Sequence, residues 1–339
     1  MESARLGAAV IGVGMYGKVH ARTYSGDPRT KLLYIWSRTE KNARAAAREF
    51  GVKAAKDLQE IADDPEVRIV SVATPDFAHV EPALLMLAAG KHVLLEKPMA
   101  TSVAECRKIV AAAAKAPGVL MVNFHNRWYP PFMKAHEVVA SGELGPPSHA
   151  RIRLSDRLYF IRDKLSWAHR SAPHWFLMSH TMDLVRFVFG REPQTAYALG
   201  HKGHLAGLGI DAWDTVHALV NFAGGVPVHL ENSWIIPEGW RNNIIEFGAE
   251  FYCERGIIQI FGDNEGISIT SEKDYRTPLL LDFITEEHPI REFIALAAEG
   301  RKPKWGTPED GLLVTAAVEA VDRSLATGKV VEVASVLGK

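Results

Sequence analysis

The sequence has few cysteines, no excess charge of either sign and no long apolar run, and each shortage excludes a class of protein. Its two cysteines, Cys106 and Cys253, lie far apart and outside any CxxC spacing, which argues against a disulfide framework and a thiolate metal site. The formal net charge is -1 at pH 7, so bulk charge gives no basis for nucleic-acid binding. No apolar run is long enough to cross a bilayer, and no charged and apolar leader opens the sequence. We therefore expect a cytoplasmic protein without a membrane or nucleic-acid partner.

The length and the composition indicate a globular enzyme with more than one domain. A chain of 339 residues is longer than one ordinary hydrophobic core accommodates, so two domains are expected. Hydrophobic residues make up 47% of the chain and charged residues 23%, which are ordinary values for a globular protein.

The first third of the chain alternates strand-like and helix-like segments. Short apolar runs predict strands, and alanine-rich or amphipathic stretches between them predict helices. The predicted strands are 6–11, 32–36, 67–73, 91–95 and 119–124, and the predicted helices are 18–25, 40–50, 80–89 and 103–114. This alternation predicts a doubly wound parallel sheet, an α/β Rossmann domain over residues 1–123.

Beyond residue 123 the pattern changes to longer strand-like stretches with few helices. The predicted strands are 148–154, 195–199, 215–222, 226–236, 244–253 and 257–261, and the predicted helices are 130–139, 179–190, 289–299 and 308–326. We therefore predict that residues 124–339 form an α+β domain with a large open, mostly antiparallel sheet.

A glycine-rich turn follows the first predicted strand. Gly12 permits the sharp bend, Gly14 clears space for a diphosphate, and Gly17 allows close packing of helix and strand. Met15 and Tyr16 complete the turn, so we place all five residues in a dinucleotide site. The position between a strand and a helix favours this interpretation over an ordinary structural turn.

The residues after the second predicted strand favour NADP over NAD. An NAD site usually has an acidic residue at this position, to bind the ribose hydroxyls. Here Ser37 and Arg38 occupy it, and a hydroxyl followed by a guanidinium suits a 2′-phosphate. The alternative is that Arg38 is a solvated loop residue and that Glu40 contacts the ribose.

Five motifs along the chain resemble the glucose-fructose oxidoreductase, inositol dehydrogenase and MocA superfamily of sugar and polyol dehydrogenases. The motifs are Gly12-x-Gly14-x-x-Gly17 with His20, Ala73-Thr74-Pro75 with His79, Glu96-Lys97-Pro98, Asn123 to Arg127 with Pro130, and His180-x-x-Asp183. The resemblance covers nearly the whole chain, and Glu96-Lys97-Pro98 is its most specific element.

The resemblance implies a Rossmann domain, a second domain whose open sheet forms homodimers or homotetramers, and hydride transfer at a hydroxyl carbon of a carbohydrate-like substrate. It further implies that a group of residues lines the nicotinamide end of the cofactor. These residues are Thr74, Pro75, His79, Glu96 and Lys97.

Lys97 suits the role of the proton carrier. Oxidation of a hydroxyl needs a base for the O–H proton while the carbon gives a hydride to the nicotinamide, and reduction needs the same group as an acid. In a partly dry cleft beside an oxidised nicotinamide, we expect the pKa of Lys97 to fall from about 10.4 toward the working range. The alternative is a surface ion pair.

His180 and Asp183 are the other two candidate catalytic residues, three positions apart on a predicted helix. They face the same side, where they could bind one substrate or each other. Many members of the family that the chain resembles carry an aspartate four residues before this histidine, and Phe176 stands there instead. Trp175 and Phe176 could then form an aromatic wall for a ring-shaped substrate, and we add Arg127 as a substrate ligand.

Two alternatives remain open at this level. The chain could be a dinucleotide sensor or corepressor that keeps the fold and has lost the chemistry, an interpretation that Phe176 favours and that Lys97 opposes. It could also act on a ring that is not a sugar, such as an aromatic diol or a tetrapyrrole-like compound. His201 and His204 could suggest a metal, but without a further ligand at suitable spacing we predict none.

Overall fold

The computed structural model describes residues 5–240, 245–262, 266–279 and 286–338. Ile244, the first residue of one predicted strand, lies outside these ranges. The chain divides into two units, residues 1–125 with 284–312, and residues 126–283 with 313–339. The segment 284–312, which the sequence analysis placed in the second domain, thus belongs to the first unit.

The strands of the first unit are β1 (Leu6–Ile11), β2 (Thr30–Trp36), β3 (Lys53–Ala54), β4 (Val67–Val72), β5 (His92–Glu96) and β6 (Leu120–Asn123). The strands of the second unit are β7 (Pro147–Arg157), β8 (Pro193–His201), β9 (Thr215–Phe222), β10 (Val226–Ile236), β11 (Ile245–Cys253), β12 (Gly256–Phe261), β13 (Gly266–Ser271), β14 (Tyr275–Arg276) and β15 (Val331–Glu332).

The α-helices of the described chain are α1 (Met15–Gly26), α2 (Glu40–Phe50), α3 (Leu58–Asp63), α4 (Val80–Ala88), α5 (Val103–Lys115), α6 (Pro130–Ala140), α7 (Ser179–Phe189), α8 (His204–Gly207), α9 (His288–Glu299), α10 (Pro308–Thr327) and α11 (Val333–Val336). Two single π-helical turns also occur, Phe160–Lys164 and His174–Met178. None of the described helices combines the length and the apolar character needed to span a membrane.

The first unit contains a parallel sheet in the order β3-β2-β1-β4-β5-β6. Its central strands are buried almost throughout, as expected for a parallel sheet covered on both faces. Helix α2 packs through a stripe of alanines and ends at Gly51, which adopts a φ of +68°. The prediction of a Rossmann domain is confirmed.

The returning segment 284–312 completes the first unit beside β6. The backbone N–H of Val122 donates to the carbonyl of Gly306 over 2.7 Å. A Cβ on Gly306 would lie 2.3 Å from the carbonyl oxygen of Val122, so only glycine allows this approach. A Cβ on Gly311 would lie 2.8 Å from the sulfur atom of Met99, so Met99 packs closely against this glycine.

The second unit contains a sheet in the order β14-β13-β12-β11-β7-β10-β9-β8-β15. Strands β7 and β10 run parallel, and the other pairs are antiparallel. Strand β10 alternates buried and half-buried residues along its length, the pattern of a sheet with one covered face. The predicted large, mostly antiparallel sheet is confirmed.

Candidate active site

The glycine turn lies at the carboxyl ends of β1 and β4, where the strand order reverses. Gly12 adopts a φ of +100°, and a Cβ there would lie 2.4 Å from the carbonyl oxygen of Ala73. A Cβ on Gly17 would lie 2.0 Å from the carbonyl oxygen of Gly12. Both positions therefore require glycine, because the backbone of the turn approaches both β4 and α1 closely.

The amino end of α1 has the space and the chemistry that a diphosphate needs. Gly14 stands at the N-cap, and a Cβ there would meet no described atom within 4 Å. The helix begins without a side-chain cap and without an acidic residue in its first turn. Its first N–H groups and its dipole thus fit an anionic group.

Tyr16 connects the turn to the residue that follows β6 and Phe124. Its ring is stacked on the imidazole of His125, with centroids 5.2 Å apart and planes inclined by 25°. The Tyr16 hydroxyl lies 3.5 Å from Nε2 of His125. Met15, the preceding residue, is 52% exposed.

Of the two charged residues Arg38 and Glu40 that follow β2, only Glu40 has an ion-pair partner among the described residues. Ser37 is half-buried and Arg38 is exposed at the carboxyl end of the strand. Glu40 forms an ion pair with Arg44 one turn further along α2. The acidic side chain is therefore engaged along its own helix, and Arg38 is the charged group next to Ser37.

His79 joins the ends of β4 and β5. Its Nδ1 lies 2.7 Å from the carbonyl oxygen of Pro98, and its Nε2 lies 2.9 Å from that of Thr74. Burial lowers the pKa of His79, although these backbone contacts oppose it. The Thr74 hydroxyl donates to the carbonyl of Ala78 over 2.9 Å. Together these contacts fix the loop that contains Pro75.

Glu96 is a buried carboxylate at the end of β5. Nε2 of His20 lies 2.9 Å from its Oε1, and the Asn123 amide donates to the same oxygen over 2.6 Å. Burial raises the pKa of the Glu96 carboxyl, but His20, His125 and Asn123 outweigh it and lower that pKa to about 2. Glu96 is consequently an anion throughout the neutral range.

Lys97 follows Glu96 directly and is 7% exposed; its peptide bond to Pro98 is cis. The electrostatic environment of His125 includes both charges, because Glu96 raises and Lys97 lowers the pKa of that imidazole. Burial has the largest effect and lowers the pKa of His125 to about 4. His125 is therefore a neutral imidazole in the same charged cluster.

In the second unit, His180 lies in the first turn of α7 and is 7% exposed. The Asn126 amide nitrogen lies 3.2 Å from Nδ1 of His180. If this amide donates to Nδ1, the proton of the neutral imidazole is on Nε2. Asn126 thereby fixes both the tautomer and the orientation of the ring.

Asp183 forms a bidentate ion pair with Arg127. Nε of Arg127 lies 2.8 Å from Oδ2 and its Nη2 lies 2.5 Å from Oδ1. Both side chains are buried, and the guanidinium also lies 5.4 Å from the ring centroid of Phe187. Two predicted site residues, one catalytic and one substrate-binding, are thus partners of each other, an arrangement typical of a structural tie between α7 and the segment before α6.

Phe176 packs against an apolar cluster that includes Trp234 of β10. Its ring meets Trp167 and Trp234 edge-on, at centroid distances of 5.7 and 6.1 Å. Trp234 is fully buried, and its indole Nε1 has no hydrogen-bond partner among the described residues. Trp175 is buried at the second residue of the π turn and packs beside His174.

The structure thus groups most of the predicted residues by unit. It brings the glycine turn, Thr74, His79, Glu96 and Lys97 together in the first, and His180 and Asp183 with their partners in the second. The sequence analysis assigned no role to His125 or Asn126, although both lie in the quoted segment Asn123 to Arg127. Their contacts with Tyr16 and His180 make them candidates for the site, and no spacing rule predicts these contacts.

Comparison with known proteins gives matches along most of the chain. Residues 6–124 match the family described as an oxidoreductase family with an NAD-binding Rossmann fold. Residues 132–259 match the GFO/IDH/MocA C-terminal domain.

The similar proteins include curated enzymes and solved structures. The chain is 27% identical to myo-inositol 2-dehydrogenase of Thermotoga maritima, over 97% of this chain and 99% of that protein. It is 28% identical to 1,5-anhydro-D-fructose reductase of Ensifer adhaerens, over 89% and 91% respectively. Levoglucosan dehydrogenase in complex with NADH and L-sorbose shares the fold, with a TM-score of 0.87, 24% identity and coverage of 98% and 100%.

Proposed function

The chain belongs to the GFO/IDH/MocA family of oxidoreductases, and from that premise we propose that it transfers a hydride between NADP(H) and a sugar, cyclitol or keto-sugar. The observation that carries the proposal is Lys97, buried directly after an anionic Glu96 in the unit that holds the glycine turn. The named relatives act on an inositol and on an anhydro-sugar, which supports the substrate class.

The residues of the first unit fit a nicotinamide dinucleotide. Gly12, Gly14 and Gly17 would hold the diphosphate at the amino end of α1, where Gly14 leaves open space. Ser37 and Arg38 would bind a 2′-phosphate, and this preference is supported by the pairing of Glu40 with Arg44. When bound, the nicotinamide supplies or accepts the hydride.

Lys97 moves the proton in this proposal. During oxidation its neutral amine takes the proton of the substrate hydroxyl as the carbon loses a hydride and becomes a carbonyl. During reduction the ammonium returns that proton to the carbonyl oxygen. Glu96 cannot take this role, because a carboxyl with a pKa of about 2 stays ionised and accepts hydrogen bonds only.

His180 is the second polar group that we assign to the substrate. With Asn126 on Nδ1, its Nε2–H is a hydrogen-bond donor suited to a sugar oxygen. Asp183 forms an ion pair with Arg127. We therefore assign both residues a structural role in positioning α7, without a contact to the substrate. Trp175 and Phe176 remain candidates for an aromatic wall beside the ring.

We also propose that two or four copies of the chain associate through the sheet of the second unit. Leu199 of β8 and Leu219 of β9 are 60% and 58% exposed, which is unusual for large apolar side chains on a sheet face. The same face has opposite charges in pairs, such as Arg151 with Glu250. An apolar surface with charges of both signs is suited to a second copy of itself.

The proposed function is tested by reduction of NADP+ and NAD+ with a panel of sugars and cyclitols, and by consumption of NADPH and NADH with a panel of keto-sugars. We expect turnover with at least one member and faster turnover with NADP(H). Tight dinucleotide binding, followed by fluorescence, without turnover of any member would instead support a sensor or corepressor.

A further inference from the structure

A chain of buried hydrogen bonds runs through the core of the first unit to Glu96. The Tyr24 hydroxyl lies 2.7 Å from Ser71 Oγ, and that oxygen lies 2.7 Å from Nδ1 of His20. Nε2 of His20 lies 2.9 Å from Oε1 of Glu96, which the Asn123 amide also reaches. None of the five residues is more than 6% exposed.

The chemistry of the groups fixes the direction of donation. Glu96 is ionised, so Nε2–H of His20 donates to it. An uncharged His20 then accepts from the Ser71 hydroxyl at Nδ1, and Ser71 accepts from Tyr24. Burial raises the pKa of Tyr24 and keeps its hydroxyl a donor. A cationic His20 would leave one of the two hydroxyls without an acceptor among the described residues.

The donors from Tyr24 to His20 therefore all run in one direction along the chain, which ends at Oε1 of Glu96. Hydrogen bonds aligned in one direction polarise and strengthen one another in a buried environment. Buried ionic networks can often be replaced by an apolar core of the same volume without loss of stability, so stability alone gives no reason for a polar chain here. Its end point is the residue next to Lys97, and His125 lies within the electrostatic influence of both Glu96 and Lys97.

We propose that His20 is a positioning residue for Lys97, and that Ser71 and Asn123 support it by fixing the Glu96 carboxylate as an oriented anion in the residue that precedes the lysine. This inference rests on the proposed function of Lys97 as proton carrier. An oriented anion nearby stabilises the ammonium form, so His20 acts on Lys97 through Glu96 without touching the substrate.

Two amide substitutions at His20 separate its two hydrogen bonds. The amide nitrogen of glutamine occupies the place of Nε2, so His20→Gln keeps a donor to Glu96. The amide of asparagine occupies the place of Nδ1, so His20→Asn keeps the contact with Ser71 and loses the donor to Glu96. The two variants are otherwise matched in polarity, and thermal unfolding of each reports its folding.

The measurement is the apparent pKa of Lys97, from competitive acetylation of the dinucleotide-free protein at a series of pH values, followed by peptide mass spectrometry. We expect the pKa to fall by about 1 unit in His20→Asn and by less than about 0.3 unit in His20→Gln. The pH profile of kcat/KM, measured with a substrate from the panel, shifts in the same direction. Ser71→Ala, a smaller change, gives a shift of the same sign and replaces His20→Asn if that variant does not fold.

Equal apparent pKa values of Lys97 in the wild type, His20→Asn and Ser71→Ala would overturn the inference. Acetylation does not require turnover, so this result is separate from a failure of the proposed function. If the pKa of Lys97 falls in the variants but the protein turns over no substrate of the panel, the result would support the positioning by His20 and refute the proposed hydride transfer.

Discussion

Arg38 is exposed beside Ser37 at the end of β2, and Glu40 pairs with Arg44 along α2. Since a guanidinium gives charge-assisted hydrogen bonds to a phosphate, Arg38→Ala should weaken NADPH binding about 10-fold or more and leave NADH binding unchanged. Titration of dinucleotide fluorescence measures both constants. Arg48→Ala, at an exposed arginine in the last turn of α2, is the control, and equal weakening of both dinucleotides by Arg38→Ala would refute the preference for NADP.

Single residues also mark the limit of what the sequence predicts. The spacing of His180 and Asp183 correctly indicates one helix, α7, but it carries no information on their partners. In the structure, His180 contacts Asn126 and Asp183 pairs with Arg127. Each partner lies more than 50 positions away in the chain. Long-range partners of this kind depend on the packing of α6 and α7, which no local pattern records.

The turn between β1 and α1 is the element that we propose to hold the dinucleotide, and Gly17 and Gly26, near the two ends of α1, have opposite requirements. A Cβ on Gly17 would lie 2.0 Å from the backbone, whereas a Cβ on Gly26 would meet nothing within 4 Å. Gly17→Ala should lower the free energy of unfolding by about 1–3 kcal/mol or more and abolish dinucleotide binding. Gly26→Ala, in the same helix, should raise stability by up to about 1 kcal/mol. Urea unfolding checks both, and a stable Gly17→Ala that binds NADPH normally would contradict this account of the turn.

Elements with a strong periodic pattern were predicted closely, and short ones were missed. Helix α2 and strands β9 and β10 have the predicted bounds. Helix α3 is absent from the predicted elements, because its six residues bury only two side chains and its start depends on the cap from Asp57. Strand β13 was missed because its hydrogen bonds to β12, more than its own short sequence, hold it in the sheet.

At the scale of the whole molecule, the return of residues 284–312 to the first unit could not be predicted from the sequence. It depends on the close approach of Gly306 to Val122, and no local sequence pattern around either residue predicts this contact. The apolar patterns of the strands and helices, in contrast, were enough to predict both sheets, because such a pattern is a property of each element alone.

Two buried groups make the stability of the protein sensitive to acid. His125 has a pKa lowered to about 4, so the unfolded chain binds its proton first as the pH falls from about 6.5, and folding loses stability down to about pH 4. Glu96, with a pKa of about 2, contributes stability above its unfolded pKa that is lost between about pH 4.5 and pH 2. Urea unfolding at pH 7 and pH 4.5 should show a loss that is smaller by about 2 kcal/mol in His125→Gln. An identical loss in both proteins would show that His125 is not a buried neutral imidazole.

The proposed association through the second sheet predicts a change of mass in solution. Leu219→Glu places a charge on the exposed face of β9 and should reduce the molar mass, measured by light scattering, to that of one chain. Leu208→Glu, at a leucine that is 47% exposed after α8 and outside the sheet, is the control. A wild-type protein with the mass of a single chain would refute the association.

The most direct test of the central claim, proton exchange by Lys97, is chemical rescue of Lys97→Ala with small primary amines. With a substrate from the panel, we expect kcat of the variant to fall by about 10²–10⁴-fold, with NADPH binding retained. Added amines should restore part of the turnover, to an extent that follows the pKa of the amine. Full activity of Lys97→Ala without any amine would contradict the account.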